Sequence, residues 1–250
     1  MPFAGLGFLH ILFAVLCAVH AVKSGQPLYW LFILFMFPLL GSIVYLFAVY
    51  LPSSRLERGA KKTVSAVAKV LDPNREVREA RAAYDEAATA QNQMRLAAAL
   101  LETGDAEAAA QLYEGALKGP FASDLEIRYG AARAFVECGR FAEALGHLEA
   151  IRKTKKEFRL EGVSLLTGRA LAGLGRDAEA RAELESAVAT FGTFEARAEF
   201  AMYLLGRGQR SEAEPLLAEL DKITSRWNSA NRELNQRTMR RLAAARDAGR

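Results

Sequence analysis

Residues 137–145 read ECGRFAEAL, and the same shape returns at 102–110 (ETGDAEAAA), 173–181 (GLGRDAEAR) and 206–214 (GRGQRSEAE). The third place is always glycine: Gly104, Gly139, Gly175 and Gly208, at steps of 35, 36 and 33 residues. Five residues past each glycine stands an alanine, namely Ala109, Ala144, Ala180 and Ala213. Seven residues before it the side chain is small (Ala97, Ala132, Gly168, Ala201), and four before it is large and apolar (Leu100, Phe135, Leu171, Leu204). Nine residues past it comes another large one: Tyr113, Leu148, Leu184 or Leu217. A period of this length marks stacked supersecondary units, none of which buries its apolar face alone. The glycine lets the chain turn sharply between two antiparallel helices. The small pair lets those helices cross closely, and the large residues fill the space to the next unit. Helical spacing agrees, since Ala109, Leu112, Tyr113, Ala116 and Leu117 form one stripe. Ser211 and Glu214 read as a capping box, with Pro215 near the first turn.

This pattern resembles the tetratricopeptide repeat over roughly residues 90–225. It departs from the family where the aromatic two residues past the glycine occurs only as Phe141, and where the closing proline is displaced or missing. The resemblance implies an all-α fold in which an α-solenoid of about four helix pairs, with flanking cap helices, occupies residues 73–250. It also implies a binding scaffold whose concave face is lined by the first helix of each pair. Carried over, the groove positions are Gln91, Met94, Tyr129, Arg133, Leu165, Arg169 and Met202. Arg133 and Arg169 each lie six residues before a turn glycine. They either hold a carboxylate or acidic peptide together or are solvated and paired within the repeats. Met94, Tyr129, Leu165 and Met202 suit an apolar partner helix or extended peptide, or else pack between repeats. Residues 74–90 read as a leading helix entered through Asp72-Pro73, and 227–247 as a closing helix over the last repeat.

The opening fifth is a different material. Residues 1–52 carry one charged side chain, Lys23, and two apolar runs at about 3–22 and 29–51 joined by the polar turn KSGQPL. Each run has the roughly 20 residues a helix needs to cross a bilayer, so a transmembrane hairpin is expected. Pro38 should kink the second helix, with Gly41 and Ser42 facing the first. Arg55, Arg58, Lys61, Lys62 and Lys69 follow the second run, against Lys23 alone in the turn, which puts both termini on the cytoplasmic side. Residues 53–72 form a basic neck, either an amphipathic helix in the membrane interface or a spacer. The second run, read through Trp30, Pro38, Gly41 and Tyr45, resembles the N-terminal membrane hairpin of cardiolipin synthases, the phospholipase D nuclease N-terminal domain. What that resemblance implies is an anchor in a bacterial inner membrane. The catalytic His-x-Lys of that family is absent, because His10, His20 and His147 precede Ile-Leu, Ala-Val and Leu-Glu.

The net charge of +4 does not mark a nucleic-acid binder. Cys17 and Cys138 lie in different materials and offer neither a disulfide framework nor zinc spacing. No cofactor or metal is expected, and no catalytic residue is assigned. The arginine-rich tail (Arg226, Arg232, Arg237, Arg240, Arg241, Arg246, Arg250) reads as a solvated cap, or as a contact for anionic lipid or RNA. The expected function is a membrane-anchored scaffold holding a protein or peptide at the cytoplasmic face of the inner membrane. The competing readings are an accessory subunit of phospholipid metabolism and a basic lipid- or RNA-binding module.

Overall fold

A computed structural model describes residues 4–27, 29–50, 72 and 74–248, with side-chain surroundings in the first helix given from Phe13 onward. The chain divides into two compact units, Met1–Pro73 and Asn74–Arg250. Among the described residues there are fourteen α-helices and no strand. Apart from Asp72, the neck at 53–72 lies outside the described residues.

In the second unit, α4 (Arg75–Glu86) leads into four helix pairs. These are α5/α6 (Ala90–Thr103, Ala106–Ala116), α7/α8 (Leu125–Glu137, Phe141–Thr154), α9/α10 (Leu160–Gly173, Asp177–Phe191) and α11/α12 (Phe194–Gly206, Arg210–Ser225). Between the partners of each pair Gly104, Gly139, Gly175 and Gly208 have φ of 96°, 80°, 72° and 71°. That left-handed region costs an L-residue roughly 1–2 kcal/mol and glycine almost nothing. Side-chain caps start several helices: Thr89 accepts from the Asn92 amide, Asp105 from Ala108, Asp124 from Ile127 and Thr193 from Ala196. The leading helix begins at Arg75 with Asn74 at its cap, two residues later than the Asp72-Pro73 reading placed it. The capping box at Ser211 is not formed either, because Gln209 is the cap and Ser211 already lies inside α12.

The repeat positions account for the core. Ala109, Ala144, Ala180 and Ala213 are fully buried, as are Ala97, Ala132 and Ala201. A Cβ added at Gly168 would lie 2.6 Å from Leu184 Cδ2, so the small residue before the turn is what lets the large one after it pack across the pair. Successive repeats are also tied by ion pairs one repeat apart in sequence. Arg140 meets Glu107 at 3.1 Å, Arg159 meets Glu126 at 2.9 Å and Arg181 meets Glu212 at 2.6 Å. The closing segment is two helices rather than one, α13 (Ser229–Leu234) and α14 (Gln236–Ala248), which meet at Asn235.

In the first unit α1 (Ala4–Lys23) turns back through Gly25, at φ 65°, into α2 (Tyr29–Met36) and α3 (Pro38–Tyr45), followed by a π-helical stretch Leu46–Tyr50. The single second span expected over 29–51 is therefore interrupted. Proline lacks an N–H and clashes with the preceding turn, so Phe37 leaves the helix and Pro38 starts a new one. Among the described residues no helix is long and apolar enough to cross a membrane. Gly41 and Ser42 are buried, and a Cβ at Gly41 would come 2.8 Å from the Ile33 carbonyl oxygen. Fully buried Tyr45 packs edge-on against Trp30 (5.3 Å between ring centres), and its hydroxyl is 2.9 Å from His20 Nδ1. The outward side chains of this unit, including Leu16, Phe32, Phe35, Leu40 and Ile43, are exposed and apolar.

His147, on α8, stacks on Phe135 with ring centres 5.5 Å apart, and its buried Nδ1 has no hydrogen-bond partner among the described residues. Burial pushes its pKa below the ordinary value, and nearby Arg128 adds to the shift against Glu114. Well above the ordinary histidine pKa of about 6.5, both folded and unfolded states are neutral and the group is silent. As pH falls through about 6.5 the unfolded chain takes the proton first, so stability drops until the folded pKa is passed. Thermal melts of wild type and His147→Leu should therefore differ in slope below about pH 6.5 and run parallel above it. Parallel slopes throughout would show that the imidazole is not sequestered.

Candidate functional site

The first helices of the pairs present side chains one turn apart on a common face. On α7 these are Tyr129, Arg133 and Glu137, on α9 Glu161, Leu165 and Arg169, and on α11 Glu195 and Glu199. Spacing of four keeps each set in register along its helix. Together with Arg237, Thr238 and Arg241 of α14 they line a hollow of about 390 Å³. An adjoining hollow of about 340 Å³ shares Arg169, Glu199 and Arg241 and adds Met202.

Tyr129, Arg133, Leu165 and Arg169 thus come together in one hollow and Met202 lies beside it. Gln91 is exposed and Met94 packs against the core, and neither lines these hollows. Tyr129 packs across the repeat boundary. Its ring meets Phe158 edge-on at 6.4 Å, Arg159 lies over it at 5.0 Å, and its hydroxyl occupies the space a side chain on Gly162 would need. Burial raises the Tyr129 pKa. Leu165, 8% exposed, belongs to the core of the later repeats as well as to the groove wall.

The two arginines are not held open for an acidic guest. Arg133 reaches Glu102 at 3.5 Å, and Arg169 bonds Glu137 at 3.0 Å with Glu199 at 3.9 Å. Glu137 and Glu199 line the same hollow and Glu102 comes from the first repeat, so the repeats themselves neutralise the two arginines. Residues outside the sequence-derived set complete the network. Arg241 donates two hydrogen bonds to the Glu199 carboxylate, at 2.5 and 3.0 Å, in the forked geometry that suits a guanidinium. Arg237 reaches Glu137 at 3.2 Å and Glu102 at 3.4 Å, the latter across 135 residues of chain.

The electrostatics follow burial and pairing. Burial alone would raise the Glu137 pKa, but Arg169 and Arg237 together hold it below the usual carboxylate value. Burial, helped by Arg241, lowers the Arg169 pKa despite Glu199 and Glu137. Arg241 is buried too, yet its bonds to Glu199 raise its pKa, because it takes the better geometry of the two arginines sharing that carboxylate.

Residues 100–161 match the tetratricopeptide repeat family. The match covers the second half of the first helix pair, all of the second and the start of the third. Two solved chains are similar in structure. One, described as "MamA MSR-1 C2", is 18% identical with a TM-score of 0.45 over 64% of this chain and 98% of its own. The other, described as "MamA AMB-1 P212121", is 17% identical with a TM-score of 0.43 over 66% of this chain and 96% of its own. A comparison with curated proteins finds no match.

Proposed function

We propose that the protein is a membrane-anchored repeat scaffold that binds a protein partner in the concave groove of its second unit. The observation that carries this reading is the groove itself. Consecutive first helices aim charged and aromatic side chains into one hollow, on a solenoid whose match to the tetratricopeptide repeat marks it as a protein-binding type. Support for the anchor comes from residues 1–52, where charge is nearly absent and the outward side chains around α1–α3 are large and apolar. A surface of that kind marks a membrane or protein contact. The resemblance of Trp30, Pro38, Gly41 and Tyr45 to the cardiolipin synthase hairpin points the same way, toward a bacterial inner membrane. The basic residues from Arg55 to Lys69 support cytoplasmic termini. Anchoring concentrates the groove at the bilayer, so a weak contact there becomes effective.

The test is proximity labelling in membranes, comparing wild type with Glu195→Arg and with a chain lacking residues 1–52. Glu195 lines the hollow and is only partly buried, so its reversal should spare the fold while repelling a basic guest. Partners should fall away in Glu195→Arg, and the truncated chain should leave the membrane fraction. An unchanged partner set would move the binding face elsewhere, and a truncated chain that stayed with the membrane would remove the anchor.

A further inference from the structure

Charge in the groove is unbalanced unless α14 is counted. The repeats supply Glu137, Glu161, Glu195 and Glu199 to its lining against Arg133 and Arg169, an excess of two carboxylates. The two further arginines of the lining, Arg237 and Arg241, come from α14 and stand one turn apart. We infer that the groove is shaped for an amphipathic helix carrying two arginines at i and i+4, and that α14 is the chain's own occupant of that place. The inference rests on the scaffold reading of the groove and names the chemistry of its partner.

Three observations carry it. First, complementarity is side chain to side chain. Arg241 forks onto Glu199, while Arg237 spans Glu137 and Glu102, so the arginines of one helix engage carboxylates from α5, α7 and α11. A lysine offers a point charge and cannot reproduce the fork. Second, the two arginines that the repeats give the lining are not vacant for an acidic guest, since Arg133 and Arg169 are already matched by Glu102, Glu137 and Glu199. Third, the part of the closing segment that enters the groove is held mainly by charge. In α14 only Leu242 is buried, with Met239 and Ala245 partly so. Preceding it, α13 has no buried residue, and Leu234 is 82% exposed. The Arg237 side chain is 40% exposed, and its pair with the more exposed Glu102 is 3.4 Å long. Such contacts open more readily than packed core. The far end of α14, where Arg246 meets Asp221 at 2.9 Å, can stay docked on α12 while the arginine end exchanges with an incoming helix.

The experiment uses the full chain in mild detergent and a fluorescent peptide of residues 236–248 (QRTMRRLAAARDA), titrated by anisotropy at fixed salt. Arg237→Ala, Arg241→Ala should bind the peptide at least ten-fold more tightly than wild type. The same peptide with lysine for both arginines should bind that variant several-fold more weakly, and one with glutamate for both should not bind. Dimerisation of the opened variant that the free peptide reverses would support the inference too, with a second copy's α14 as the guest. Equal binding to wild type and variant, or tighter binding of the glutamate peptide, overturns it. If the double variant loses its helical circular dichroism, Arg237→Ala alone takes its place with a gain of about three-fold expected, and no gain there overturns the inference. Failure here combined with partner loss in Glu195→Arg leaves the scaffold reading standing with a different guest. Peptide binding with an unchanged partner set would instead count against the scaffold reading alone.

Discussion

Glu199→Ala should lower stability by about 3–5 kcal/mol, among the largest losses available to a single substitution outside the apolar core. Glu199 is 8% exposed, on α11, and is the shared carboxylate between Arg241 and Arg169. Removing it strips Arg241 of its fork and leaves two largely buried guanidiniums facing one another with only Glu137 nearby. An uncompensated buried charge costs more than the intact pair contributes, which is why truncation of one partner is severe even where the pair itself is nearly neutral. For a unit of this size each kcal/mol moves the thermal midpoint by about 2–4 °C, so a fall of roughly 10 °C is expected. Glu199→Gln keeps an acceptor for one guanidinium and should lose less. Equal midpoints for the alanine variant and wild type in thermal melts would show that α14 is not held by this carboxylate.

The architecture of the second unit was readable because its signals are local and repeated. A glycine at positive φ, a small residue seven before it and an alanine five after it each have one physical reason, and each recurs in four copies. The groove was harder. Tyr129, Arg133, Leu165 and Arg169 could be placed on one face by analogy, but their partners could not. Whether Arg169 faces solvent or Glu137 depends on which residue the next helix brings opposite, and that is a tertiary fact. Glu199 sits among apolar residues of α11 with nothing in its neighbourhood to mark it. Arg237 and Arg241 were visible only as part of a basic tail. The return of α14 across the groove shows that they meet the acidic face. In the first unit Pro38 signalled a kink, but not that it would divide the helix at Phe37. A proline's effect depends on whether neighbours re-satisfy the freed carbonyl.

Phe135 tests the repeat logic itself. Its side chain is fully buried between α7 and α8, with His147 stacked on one side and Arg140 4.5 Å from its ring centre. Phe135→Ala removes the ring from a buried cluster rich in alanine, Ala132 and Ala144 among its members, and short side chains have little reach to fill the space. A loss of about 3–5 kcal/mol is expected. The internal control is Phe135→Leu, because leucine fills the equivalent place in the other three repeats, as Leu100, Leu171 and Leu204. If the repeats are equivalent in packing as well as in sequence, the leucine variant should lose less than about 1.5 kcal/mol in denaturant melts. Solenoid stability is a sum of repeat and nearest-neighbour contributions, so the damage from alanine should spread to both neighbours of the second pair. Hydrogen exchange should then show α6 and α9 losing protection along with α7 and α8. Protection lost in the second pair alone would mean that the neighbouring repeats stand without its interfaces. A leucine variant as unstable as the alanine one would mean that this pair is built around the aromatic ring and does not share the packing of the rest.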